Sequence, residues 1–77
     1  MKVAVKLLFQ LKRYSPTGRA DFELEVTPGT TLGALLEQWG LPPDPPKVML
    51  VNGRPATRDR ELADGDLVVI FPPVEGG

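Results

Sequence analysis

The chain closes on Phe71-Pro72-Pro73-Val74-Glu75-Gly76-Gly77. Glycine makes up about 7% of residues on average, so a terminal pair arises by chance in roughly 0.5% of chains. Glycine has no Cβ and takes backbone angles closed to other residues. A Gly-Gly end is therefore the slimmest peptide available, and it carries a carboxylate at its tip. Such a tail can thread a channel that any side chain would block. The chemistry it suits is reaction of the Gly77 carboxylate inside another protein. The alternative is a frayed end or an expression remnant, because chain ends are commonly disordered.

The rest of the composition offers little other chemistry. The 77 residues include no Cys and no His. That excludes a disulfide framework, a thiol nucleophile, a thiolate metal site, and the commonest general base and metal ligand. No metal site and no bound cofactor are expected. A formal net charge of -1 argues against non-specific nucleic-acid binding, which needs a basic surplus. No apolar run approaches the length of a membrane span, and Met1-Lys2 leads directly into an alternating pattern with no signal-peptide region. The reading is a cytoplasmic binding or carrier module that is not itself an enzyme, with neither nucleic acid nor membrane as a partner.

The elements that must hold the tail follow in order. Val3, Val5, Leu7, Phe9 and Leu11 alternate with a more polar set, which predicts one long strand. Ser15-Pro16-Thr17-Gly18 is a turn cluster. Phe22, Leu24 and Val26 alternate with Asp21, Glu23 and Glu25, so the two runs read as a β-hairpin. Leu32, Leu35, Leu36 and Trp39 share one helical face. Thr31 is placed to cap that helix and Gly40 to stop it. Gly33, inside the helix, suggests close approach to the sheet. Four prolines between Leu41 and Lys47 predict a stiff extended connection. Val48–Val51 reads as a strand buried on both faces. Asn52-Gly53 is a hairpin turn, Arg54-Pro55-Ala56 a brief edge strand, and Arg58–Glu61 a solvated loop from which Leu62 plugs the core. Asp64-Gly65-Asp66 turns the chain into Leu67–Phe71.

The order ββαβ(β)β predicts an α+β fold of β-grasp, ubiquitin-like type. It has a mixed four- to five-stranded sheet with one main helix on one face. The expected core is Leu7, Phe9, Phe22, Leu24, Leu35, Leu36, Trp39, Leu50 and Val69. Residues 1–71 form the domain and 72–77 an extended tail reaching at most about 20 Å.

Val51-Asn52-Gly53, Leu62-Ala63-Asp64-Gly65-Asp66-Leu67-Val68 and the Phe71–Gly77 ending resemble the ubiquitin-like sulfur carriers. The tail is most similar to that of the molybdopterin synthase small subunit. The resemblance implies a definite course. An E1-like enzyme adenylates the Gly77 carboxylate with ATP, and a sulfurtransferase system replaces AMP to give a thiocarboxylate. The tail then enters the molybdopterin synthase large subunit, in a heterotetramer, and donates sulfur to a pterin precursor. It implies partner contacts at Phe71, Pro72, Pro73, Val74, Glu75 and Gly76. Leu8 and Val68, apolar residues on strand faces that one helix need not cover, are expected to join that docking patch. Three alternatives stay open: a thiamine-type or other pathway carrier, a protein modifier conjugated through Gly77, and a β-grasp interaction module with an inert tail.

Overall fold

The computed structural model describes residues 1–42 and 46–73. Its strands are β1 (Lys2–Leu7), β2 (Asp21–Glu25), β3 (Val48–Val51), β4 (Arg54–Pro55) and β5 (Leu67–Phe71), with a single α-helix among the described residues, α1 (Leu32–Gln38). They form one five-stranded sheet in the order β2-β1-β5-β3-β4. β1 and β5 are parallel neighbours, and the other pairs are antiparallel. This is the β-grasp arrangement, with the last strand beside the first at the centre of the sheet. Val3, Val5, Leu7, Val51, Val68 and Ile70 from the sheet bury against Leu32, Leu35 and Leu36 of the helix. Leu11, Leu41 and Leu62 close the margins of this core.

β1 ends at Leu7, four residues short of the predicted strand. Its pairing with β2 ends at Lys6 opposite Asp21, followed by a bond from Leu7 N to Ala20 O at 2.7 Å. Beyond that point β2 offers no further partner. The chain passes through Leu8 in extended geometry and enters a 3-10 helix, Phe9–Tyr14. Phe9 has φ 56° and is 75% exposed, so it leaves the expected core. Leu11 is buried, but it points inward from the 3-10 turn and not from a strand.

The helix ends are well satisfied. Thr31 Oγ1 accepts from Ala34 N at 3.2 Å. At the other end Gly40 N donates to Glu37 O and Leu41 N to Leu36 O, at 3.1 and 2.9 Å. Gly40 takes φ 77°. This double bond pattern with a left-handed glycine is a Schellman stop, and the buried Leu41 makes the apolar closure that accompanies it. The remaining first-turn amides go to the charged loop: Leu32 N donates to Arg60 O and Gly33 N to Arg58 O, at 2.9 and 2.8 Å. The loop side chains are exposed as expected, yet its backbone supplies part of the helix cap. Gly33 thus approaches this loop rather than the sheet. A Cβ there would lie 3.0 Å from Arg58 O and 3.1 Å from Arg58 Cβ. Gly33→Val is expected to cost about 1–3 kcal/mol through overpacking, read as a lower urea midpoint with an unchanged slope. An unaltered midpoint would mean that the loop yields freely.

Trp39 is half-buried and packs edge-on against Phe22, with centroids 5.6 Å apart and planes at 76°. Among the described residues its Nε1 has no hydrogen-bond partner. In the proline segment, residues 43–45 lie outside the described ones, so the stiff connection predicted there is described only at its ends. Lys47 Nζ donates to Pro42 O at 2.7 Å.

Candidate functional site

The base of the tail is built by β5 and its two neighbours. β5 is the middle strand, hydrogen-bonded on both sides until Phe71, which faces Val48 of β3. Pro72 and Pro73 have no amide hydrogen, so neither can continue the ladder. Pro72 is half-buried and Pro73 exposed. Both line a cleft of about 130 Å³ with Gln10, Leu11, Arg13, Tyr14, Pro42 and Lys47. The predicted site residues Val74, Glu75, Gly76 and Gly77 lie outside the described residues.

Two turns fix where β5 starts, and they are the two turns that carry the sequence resemblance. Asn52 and Gly53 have φ 55° and 82°, the pair of positive values that a tight two-residue hairpin needs. Asn52 Oδ1 accepts from Leu67 N at 2.9 Å, and Asn52 Nδ2 donates to Asp66 Oδ1 at 2.8 Å. The other oxygen of the buried Asp66 accepts from Ala63 N at 2.7 Å. The second turn is pinned to β1 as well, through Lys2 N to Asp64 Oδ1 and Gly65 N to Lys2 O, at 2.7 and 2.8 Å. Motifs separated in sequence are therefore one hydrogen-bonded unit. That unit sets the register of β5, and with it the point at which the tail leaves.

The sheet face away from the helix is an apolar strip. Strand registers pair Ala4 with Leu67, Leu50 with Val69, Val48 with Phe71 and Pro55 with Leu50. Cα partners share a face, so these residues line one surface. All are half-buried except Pro55, which is exposed. Lys2 and Lys6, opposite Glu25 and Asp21 of β2, form its charged border. A contiguous apolar surface that no described element covers is a candidate interaction site.

This placement revises the expected patch. Val68 pairs with Val5 and is fully buried; it belongs to the core and cannot line a docking surface. Leu50 and Val69, expected inside, belong to the open strip instead. Val48–Val51 is correspondingly not buried on both faces: only Val51 is fully enclosed, with Met49 packed against the core. Leu8 lies just past β1, half-buried, its amide donating to Ile70 O at 3.0 Å. It therefore stands at the sheet end from which the tail leaves. Phe71 is half-buried at the same end. The residues that sequence reasoning missed are Val48, Leu50, Leu67 and Val69. Their signal was present only as unbroken apolar runs, which do not reveal which residues face outward.

No group of three or more His, Cys, Asp or Glu that could hold a metal ion occurs among the described residues. None of their helices is long and apolar enough to cross a membrane.

Comparison with known proteins places this geometry in a family. The ThiS family model matches residues 5–77. No curated protein matches the chain. Among solved structures, a candidate molybdopterin converting factor subunit 1 from Pyrococcus furiosus superposes with a TM-score of 0.75 at 31% identity, over 95% of this chain and 98% of that one. SAMP1 from Haloferax volcanii gives a TM-score of 0.74 at 25% identity, over 100% of both chains. A complex of subunits 1 and 2 of the molybdopterin-converting factor from Helicobacter pylori contains the same fold, with a TM-score of 0.62 at 22% identity over 100% of both chains. The chain belongs to the ThiS family and has the fold of its ubiquitin-like sulfur carriers and modifiers.

Proposed function

We propose that this chain is a sulfur carrier that works through the Gly77 carboxylate, in synthesis of the molybdenum or tungsten pterin cofactor. A carboxylate oxygen attacks the α-phosphorus of ATP on an adenylating enzyme, and pyrophosphate leaves. Sulfide supplied by a sulfurtransferase system then attacks the acyl carbon and expels AMP, forming the C–S bond of a thiocarboxylate. The sulfur stays bound to protein until a large partner subunit takes up the tail and directs it to a pterin precursor. That subunit supplies the bases and acids that a chain without His or Cys lacks. The carrier depends on these enzymes and is not one itself, and its need for ATP suits the cytoplasm.

The observation that carries this reading is the meeting of the apolar strip and the tail at Phe71. The same residue ends the docking surface and starts the Pro-Pro exit. A partner seated on the strip would therefore meet the start of the tail. The likeness to the Pyrococcus furiosus protein supports the pterin pathway.

Mass spectrometry of the protein from its own organism tests the reading. A species heavier by the exchange of one oxygen for sulfur is expected at the C-terminus. The likeness to SAMP1 favours conjugation to lysine as the second reading. Lysine-linked Gly-Gly remnants without a thiocarboxylate species would replace the carrier reading with that one.

A further inference from the structure

Phe9 is the one large apolar side chain strongly exposed among the described residues, at 75%. It also holds φ 56°, a region that a residue with a Cβ enters reluctantly and glycine enters freely. Leu8 N to Ile70 O and Leu11 N to Leu8 O, at 3.0 and 3.1 Å, bracket the turn. The turn itself would be better served by Gly or Asn, and the core gains nothing from a ring in water. Neither local geometry nor packing accounts for an aromatic residue here.

Its position suggests what does. Gln10 and Leu11, which follow it, share a cleft with Pro72 and Pro73, so Phe9 stands beside the root of the tail. Gly77 is four residues past Pro73 and lies at most about 14 Å from it when extended. An enzyme that encloses Gly77 must bring its surface down over this root. Lys12 and Arg13 occupy the last turn of the same 3-10 helix, and both are exposed. We propose that Phe9 is an anchor for the adenylating enzyme. It would fill an apolar pocket beside the mouth of the channel that receives the tail, with acidic residues on the rim facing Lys12 and Arg13. Aromatic anchors in such pockets dominate interface energetics. This inference rests on the carrier reading.

The test is ATP–pyrophosphate exchange by the purified adenylating enzyme of the same organism, titrated with the parent chain, Phe9→Gly and Phe9→Asn. Gly and Asn both tolerate positive φ, so each variant should melt at or above the parent temperature. The half-saturating concentration should rise about tenfold or more at an unchanged maximal rate. Half-saturation within about twofold of the parent, which is less than a weak contact is worth, would overturn the anchor while leaving the carrier reading intact. So would a parent dimer that the variants dissolve without any change in exchange, since the ring would then belong to an interface between two copies. A parent chain that supports no exchange at all would overturn the carrier reading and the anchor together.

Discussion

Gly76→Val, or one residue added after Gly77, is expected to leave the melting temperature unchanged and to cut ATP-dependent thiocarboxylate formation by about 10²-fold or more. The stability half of this expectation follows from where the core ends. Among the described residues the last fully buried apolar side chain is Ile70, and Pro72 and Pro73 lack the amide hydrogen that would continue the ladder, so the substitutions lie past the described core. The activity half follows from reach. On the carrier reading, the reacting carbon belongs to Gly77, at the end of a Gly-Gly peptide that enters a narrow channel of the partner. A Cβ at position 76 would meet the channel wall, and an added residue would displace the carboxyl carbon from its nucleophile. Misplacing a reacting atom by about 1 Å is enough for losses of this size. The assay is intact-mass detection of the thiocarboxylate with the cognate adenylating enzyme, ATP and a sulfur donor. Normal thiolation and transfer by the extended chain would sink the carrier reading in favour of an inert tail.

Two adjacent valines should respond oppositely to the same substitution. Val68→Asp is expected to unfold the domain, whereas Val69→Asp should keep the fold and lose the partner. Val68 is 0% exposed and faces Val5 on one side and Val51 on the other. A carboxylate there would be buried without a partner, at a cost of several kcal/mol. The whole domain is held by roughly 4–12 kcal/mol at about 0.05–0.15 kcal/mol per residue. Val69 is half-buried in the middle of the open strip, between Lys6 and Leu50. A charge there stays in water in the free protein but would be desolvated under a docked partner. Circular dichroism melts together with binding to the adenylating enzyme would separate the two effects. A stable Val68→Asp, or unchanged binding by Val69→Asp, would contradict the face assignment.

Much of the architecture could be read from residues alone, because the signals were local. Thr31 and Gly40 bracket the helix through bonds made within a few residues. Asn52-Gly53 takes the positive φ values that define its turn. The alternation in Asp21–Glu25 names its inner face directly: Phe22 and Leu24 pack on the core while their neighbours are exposed. The proposed acyl chemistry rests on residue type alone, on the Gly-Gly ending of a chain without His or Cys.

The errors arose where the decisive contact was distant in sequence. Val48–Val51 and Leu67–Phe71 are apolar at every position. Their inward and outward residues are indistinguishable until register is fixed, and shifting register by one residue reverses every side chain. That register comes from Asn52 and Asp66 bonding across the two turns, and from parallel pairing with β1. The end of β1 was equally hidden. The period of two continues through Phe9 and Leu11, but β2 supplies no partner beyond Asp21, so the chain turns and Phe9 faces water. By itself the sequence determined the order of the main strands and helix, the helix stops and the fold class. Only the tertiary structure decided which apolar residues form the core and which remain uncovered for a partner, because that choice depends on strand pairing between segments that no local pattern links.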